Sequence, residues 1–232
     1  SNSLFAKDVT VVMLGAVPST WEEKDFGQST LHLLRAAEKR GEEVVIAAPF
    51  KMRFVDESNP NISYFELNKH RDIKKLMKSV GKMVSPGDSV NLLVYGHGNP
   101  TRYESDYNKT NIQFGSERIR SDKLVKTINK HLPKDVGIKT IAPYCFSGSI
   151  HLLSQSRNNS CSIAASDFRT PSIGETSCLF GSCDAVRSYG MDVAEMHYRD
   201  PEISLADAHE MVSEKDFLNK RRGDLSSIDY IK

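Results

Sequence analysis

Five short apolar runs punctuate the chain, separated by stretches in which apolar residues recur every three or four positions. The runs are Asp8–Val17, Glu43–Pro49, the start of Val90–Pro100, the start of Ile138–Ile150, and Cys161–Ala165. Each is too short for a long helix, is rich in small or β-branched residues and stops at small or polar ones. Such runs read as strands buried on both faces. Between the first two, Leu31, Leu33, Leu34 and Ala37 lie on one side of a helix over Gln28–Arg40, opposite Arg35, Glu38 and Lys39. Gly41 ends that helix as a C-terminal cap. Strand, helix, strand predicts a βαβ unit and a parallel pair with a right-handed crossover.

The pattern continues in the same sense. Lys51–Tyr64 is polar and reads as loop, and His70–Val84 is a second helix facing inward through Ile73, Leu76, Met77 and Val80. Pro86–Gly87–Asp88 turns the chain into the third strand. Within the polar stretch Asn99–Gly115, Ile112–Phe114 reads as a short strand or hairpin arm. Ser121–Leu132 is a third helix, buried through Leu124, Val125 and Ile128 and capped by Ser121. A further helix starts within Ser147–Ser156. Residues 168–190, rich in Ser, Gly, Thr and Pro, read as a long surface loop. Ser204 and Asp207 form a capping box for a C-terminal helix within 200–223. That helix carries Leu205, Ala208, Met211 and Val212 on one face and the basic run Lys220–Arg222 near its end. The fold class is α/β with a mainly parallel sheet, and without a clean linker residues 1–232 form a single domain.

Composition narrows the function classes. A formal net charge of +1 over 232 residues gives no bulk attraction to nucleic acid or an anionic membrane. No apolar stretch approaches the ~18 residues of a membrane span. Ser1–Asn2–Ser3 reads as an expression remnant; no signal peptide is legible, and export remains open where a leader has been removed. Of four cysteines, Cys145, Cys161, Cys178 and Cys183, the expectation is free thiols, with one bridge among the last three as the alternative.

Two turns carry the candidate chemistry. The third strand ends in Tyr95–Gly96–His97–Gly98–Asn99–Pro100, and the fourth in Ala142–Pro143–Tyr144–Cys145–Phe146–Ser147–Gly148–Ser149. In a parallel sheet the carboxyl ends of the strands share one edge, where ligands bind. His97 and Cys145 delivered there are a candidate base and nucleophile. A thiol becomes a good nucleophile when an imidazole or a helix N-terminus lowers its pKa. The N–H groups of Gly98 and Cys145 are candidate donors to a developing oxyanion. His97 precedes Cys145 by 48 positions.

YGHGNP followed by APYCFSGS resembles the caspase–legumain–gingipain clan of cysteine peptidases, whose His-before-Cys separation is roughly 50 residues in caspases. The resemblance spans Asp8 to Asp167, and Cys145–Phe146–Ser147–Gly148 is most similar to the legumain form, Cys-x-Ser-Gly. It implies a three-layer α/β/α sandwich and a peptidase needing no cofactor, with His97 as general base, Cys145 as nucleophile and Gly98 as oxyanion donor. It also implies a specificity pocket built from the loop after the first strand and the segment after the fifth. There Asp167, with Ser166 beside it, is the candidate to select Lys or Arg, ahead of Glu22 and Asp25. Two positions depart from the legumain pattern: Gly96 stands where Asp is common, and Tyr144 where Ala is.

The expected function is therefore a cysteine endopeptidase acting on a peptide or protein substrate, with its oligomeric state open. Transpeptidation uses the same residues. The alternative from another class is a non-catalytic caspase-like module for binding or scaffolding. An α/β-hydrolase esterase would require a G-x-S-x-G elbow, a frame Ser147–Gly148–Ser149 does not supply. Cys178, Cys183 and His197 lack the spacing of a zinc knuckle, so no metal is expected. His70, His131, His151 and His209 sit on helices and need no role.

Overall fold

The computed structural model describes residues 6–15, 30–31, 33–49, 58–100, 110–142, 144 and 147–164, single positions between 193 and 212, and Asp229–Tyr230. Among them, seven strands form one sheet. In chain order these are β1 (Asp8–Leu14), β2 (Glu43–Ala48), β3 (Ile62–Glu66), β4 (Ser89–Tyr95), β8 (Gly137–Ala142), β9 (Ser160–Ala164) and β10 (Asp229–Tyr230). Their spatial order is β10-β9-β8-β4-β1-β2-β3. The first six are mutually parallel, and β10 closes one edge antiparallel to β9. A second, three-stranded antiparallel sheet joins β5 (Gly98–Asn99), β6 (Asn111–Phe114) and β7 (Glu117–Arg120).

Helices cover both faces of the large sheet, which makes it the middle of three layers. On one face Val9, Val11 and Met13 of β1 meet α2 (His70–Met83), α3 (Ser121–His131) and α4 (His151–Gln155). On the other, Val12 and Leu14 meet Leu33, Leu34 and Ala37 of α1 (33–39), together with Val193, Ala208 and Val212. Side chains alternate across a strand, so a strand covered on both faces needs apolar residues at successive positions. That is why these strands read as unbroken apolar runs. Each fully buried Leu, Ile or Met contributes about 1.5–3 kcal/mol. Ile73, Leu76, Met77 and Val80 of α2 are all buried, as their spacing predicts.

Local signals set the boundaries. The Gly41 N–H bonds to the Glu38 carbonyl and the Glu42 N–H to the Ala37 carbonyl, both at 3.0 Å. With Gly41 at φ +68°, this is the Schellman termination of α1. Before α2, the Asp72 carboxylate accepts the backbone N–H of Lys69 at 3.0 Å.

Three expectations are corrected. Residues 62–64, read as loop, open β3, an edge strand paired with β2 from Val44↔Ile62 to Ala48↔Glu66. Its alternation of half-buried and exposed positions hides it from a search for continuous apolar runs. Ser121 does not cap α3: the N-cap residue is Arg120, and the Ser121 hydroxyl bonds to the Thr110 carbonyl at 2.9 Å. Met211 is 39% exposed while Ala208 and Val212 are buried, so it does not share their face. Asp200, Glu202 and Ile203 are not helical. The 168–190 loop, Ser204 and Leu205 lie outside the described residues.

Candidate active site

The chain crosses from one side of β1 to the other between β3 and β4, so β1 and β4 flank the point where the strand order reverses. Crevices at such switch points, outside the carboxyl ends of the strands, are where open α/β sheets bind ligands. β4 delivers Gly96 and His97 there, beside Gly15 at the end of β1.

Backbone approaches backbone closely at this edge. The Gly15 N–H donates to the Tyr95 carbonyl at 2.6 Å, and the Gln113 N–H of β6 donates to the His97 carbonyl at 2.9 Å. A Cβ on Gly15 would lie 2.0 Å from the Gln113 carbonyl oxygen. A Cβ on Gly96 would lie 3.1 Å from the Gly15 Cα and 3.3 Å from that same oxygen. A side chain at Gly96 would therefore be crowded by the Gly15 backbone and the Gln113 carbonyl. Gly15 serves the same contact.

His97 itself is half-buried. The bond from Gln113 to His97 makes the next pair, Gly98↔Ile112, a non-hydrogen-bonded one, in which the Gly98 N–H turns away from β6. The amide nitrogen of Asn99 is buried without a hydrogen bond, a donor beside His97 that the polarity of the sequence alone did not single out.

β8 lies next to β4, with Leu93 opposite Ile141. His97 lies four residues beyond Leu93, and Cys145 four residues beyond Ile141. Cys145 is outside the described residues; its neighbour Tyr144 is buried. The helix expected after the cysteine begins as a 3-10 turn, Ser147–Ile150, followed by the five-residue α4. Its dipole is correspondingly short.

The structure does not describe Ser166, Asp167, Glu22 or Asp25. β9, paired with β8 up to Ala142↔Ala164, ends at the same edge two residues before Ser166. Cys178, Cys183 and His197 also lie outside the description. Cys161 is a free thiol, its pKa pushed up by burial against the pull of Lys139. No group of three potential metal ligands occurs among the described residues. No helix among them is long and apolar enough to cross a membrane.

Sequence reasoning missed a cluster of buried hydroxyls behind the site, formed by Thr110, Ser121 and Ser149. The only signal was three Ser or Thr residues in stretches otherwise packed as core.

No protein-family model matches the chain, and no curated protein matches it in sequence. Among solved structures, protein GSU0716 from Geobacter sulfurreducens aligns with a TM-score of 0.55 at 12% identity, covering 90% of this chain and 89% of its own. A secreted C11 cysteine protease from Bacteroides thetaiotaomicron, solved with an irreversible peptide inhibitor, aligns at 0.42 and 13% identity, covering 94% of this chain and 60% of its own. The yeast methylglyoxal/isovaleraldehyde reductase Gre2 aligns at 0.39 and 11% identity, over 68% and 53%. At these identities the likeness is one of fold, and the latter two are too partial to bear on activity.

Proposed function

We propose that the chain is a cysteine endopeptidase of the caspase–legumain–gingipain type, with His97 and Cys145 as its dyad. One observation carries the reading: β4 and β8 are adjacent and parallel, and their register offset equals the separation of His97 from Cys145. The reading extends that register past the strand ends, so that base and nucleophile share one level of one sheet edge.

The chemistry follows from the residue types. His97 takes the Cys145 thiol proton, the thiolate sulfur attacks the scissile carbonyl carbon, and the carbonyl π electrons move to oxygen. The N–H groups of Gly98 and Cys145 stabilise that oxyanion. Collapse breaks the C–N bond as the His97 imidazolium gives its proton to the leaving amine. Water, deprotonated by His97, then attacks the thioester and releases the acid and the free thiol. Asp167, with Ser166, pairs with a Lys or Arg side chain before the scissile bond. No cofactor enters this sequence.

A second reading draws on the strand order. β3-β2-β1-β4-β8-β9 is the order of dinucleotide-binding domains. Those domains place a Gly-x-Gly-x-x-Gly turn after the first strand so that a pyrophosphate can approach the backbone. Here the first strand is followed by Gly15–Ala16–Val17–Pro18, and Gly15 is approached by the Gln113 carbonyl instead. The peptidase reading is therefore preferred.

The test is labelling with peptide acyloxymethyl ketones bearing Asn, Asp, Arg or Lys at the recognised position. The products are weighed by intact-mass spectrometry for wild type and Cys145→Ala. The expected result is one thioether adduct, lost in Cys145→Ala, with the Arg or Lys probes. Labelling by Asn or Asp probes alone keeps the dyad and removes Asp167 from the pocket. No adduct from folded protein, before or after limited proteolysis, overturns the peptidase in favour of a binding module.

A further inference from the structure

Thr110, Ser121 and Ser149 are fully buried and bonded to one another. The Ser149 hydroxyl lies 2.7 Å from that of Ser121, the Thr110 hydroxyl lies 3.0 Å from Ser121, and Thr110 also bonds directly to Ser149. Ser121 ties back to the Thr110 carbonyl through both its hydroxyl, at 2.9 Å, and its N–H, at 2.8 Å. Burial holds the pKa of the neighbouring Tyr144 phenol above the ordinary range, so it stays protonated; its hydroxyl is not part of the hydrogen bonds of this cluster.

These residues come from different parts of the chain. Tyr144 and Ser149 bracket the turn that contains Cys145. Thr110 immediately precedes β6, the strand whose Gln113 N–H holds the His97 carbonyl. Ser121, at the start of α3, joins the two. A buried hydroxyl is costly when unsatisfied, and Ala or Val would fill such positions without that risk. Hydroxyls from three segments that satisfy one another specify a relative placement, which apolar packing specifies less sharply.

We propose that this hydroxyl cluster is a clamp that sets the position of the Cys145 turn relative to the His97 strand. Thr110, Ser121 and Ser149 are then positioning residues for the dyad. The inference rests on the dyad reading above, and it adds the device that holds the two halves in register.

The test follows the rate of alkylation of Cys145 by iodoacetamide against pH, quantified on the Cys145 peptide by mass spectrometry. Rates of labelling by the Arg acyloxymethyl ketone are measured alongside, for wild type, His97→Ala, Ser149→Ala, Thr110→Val and Thr110→Ser. Wild type is expected to titrate below the ~8.5 of a free thiol, and His97→Ala to abolish that depression. Ser149→Ala and Thr110→Val are expected to move the midpoint upward and to slow acyloxymethyl ketone labelling about 10- to 100-fold, the range for displaced catalytic groups. Their iodoacetamide rates at high pH should stay at the wild-type value, because the thiol is no less accessible. Thr110→Ser keeps the hydroxyl and is expected to restore the wild-type profile, which a purely packing role for the threonine methyl would not do.

Folded Ser149→Ala and Thr110→Val proteins with wild-type profiles overturn the clamp and leave the dyad standing. A wild-type Cys145 that titrates like a free thiol and ignores His97→Ala overturns the dyad, and the clamp with it. Should Thr110→Val fail to fold, Ser149→Ala, which removes only a hydroxyl, decides.

Discussion

At the scale of single residues, the candidate site is framed by positions where a side chain cannot be added. The Gly15 Cα faces a backbone carbonyl, which cannot swing aside as a flexible side chain would. Gly15→Ala is therefore expected to lose at least the ~1–3 kcal/mol typical of overpacking, read as a lowered urea midpoint. Gly96→Ala, with contacts of 3.1 and 3.3 Å, should cost less, and Gly96→Asp more, since a carboxylate would be buried as well. Equal stability of wild type and Gly15→Ala would contradict the close approach of β6.

Another residue-scale consequence concerns pH. The His70 ring accepts or donates a hydrogen bond at 2.9 Å with Thr127. Burial holds its pKa below the ordinary value, reinforced by Lys74 and Lys123 and opposed by Glu117. Between the two pKa values the unfolded chain binds the proton more readily, so stability rises with pH there. The contribution is complete above about pH 6.5, the unfolded value, and is lost as pH falls through the lower folded value. His70→Gln should flatten that acid limb in denaturation measured from pH 7 downward.

At the scale of elements, terminations were legible because they depend on local chemistry. Gly41 is recognisable as a cap in the sequence, and its φ of +68° with open space around it explains why. Gly41→Ala should cost about 1–2 kcal/mol from the left-handed backbone alone, and Gly41→Asn less; thermal melts of the pair would separate strain from packing. The six-strand parallel sheet was legible to the extent that its strands are buried on both faces. β3 was not, because Ile62, Tyr64 and Phe65 are only half-buried at an open edge. Tertiary pairing with β2, rather than any local signal, makes that segment a strand. The proposed dyad of His97 and Cys145 rests on sequence motifs, and Cys145 lies outside the described residues. The hydroxyl cluster was not legible, since Thr110, Ser121 and Ser149 are scattered in sequence and gain meaning only when β6, α3 and the 3-10 turn meet. Ser121 shows the limit well: at a helix start, a serine reads as a cap whether its hydroxyl faces the helix or a neighbour.

At the scale of the whole molecule, the sheet sorts its strands by protection. β1, β4 and β8 are paired on both sides and covered on both faces, whereas β3 has one neighbour. Native-state hydrogen exchange should therefore be slowest in β1, β4 and β8 and fastest in β3. The candidate site lies beyond the ends of the slow strands, so Cys145→Ala, three residues past β8 in sequence, should leave the slow exchange of β4 and β8 at wild-type rates. Faster exchange throughout β8 in that variant would mean that the thiol supports the core.

The same topology imposes an order of events during synthesis. β1 acquires its β2 partner early, but its other edge waits for β4: Lys7 meets Asp88, 81 residues later. At about 5–20 residues per second, a strand made of Val, Met and Leu stands with one open edge for roughly 4–16 s on the ribosome. A nascent chain stalled before residue 95 would thus present a sticky, half-paired sheet. Arrested-chain pelleting should show that hazard ending abruptly once β4 has cleared the exit tunnel.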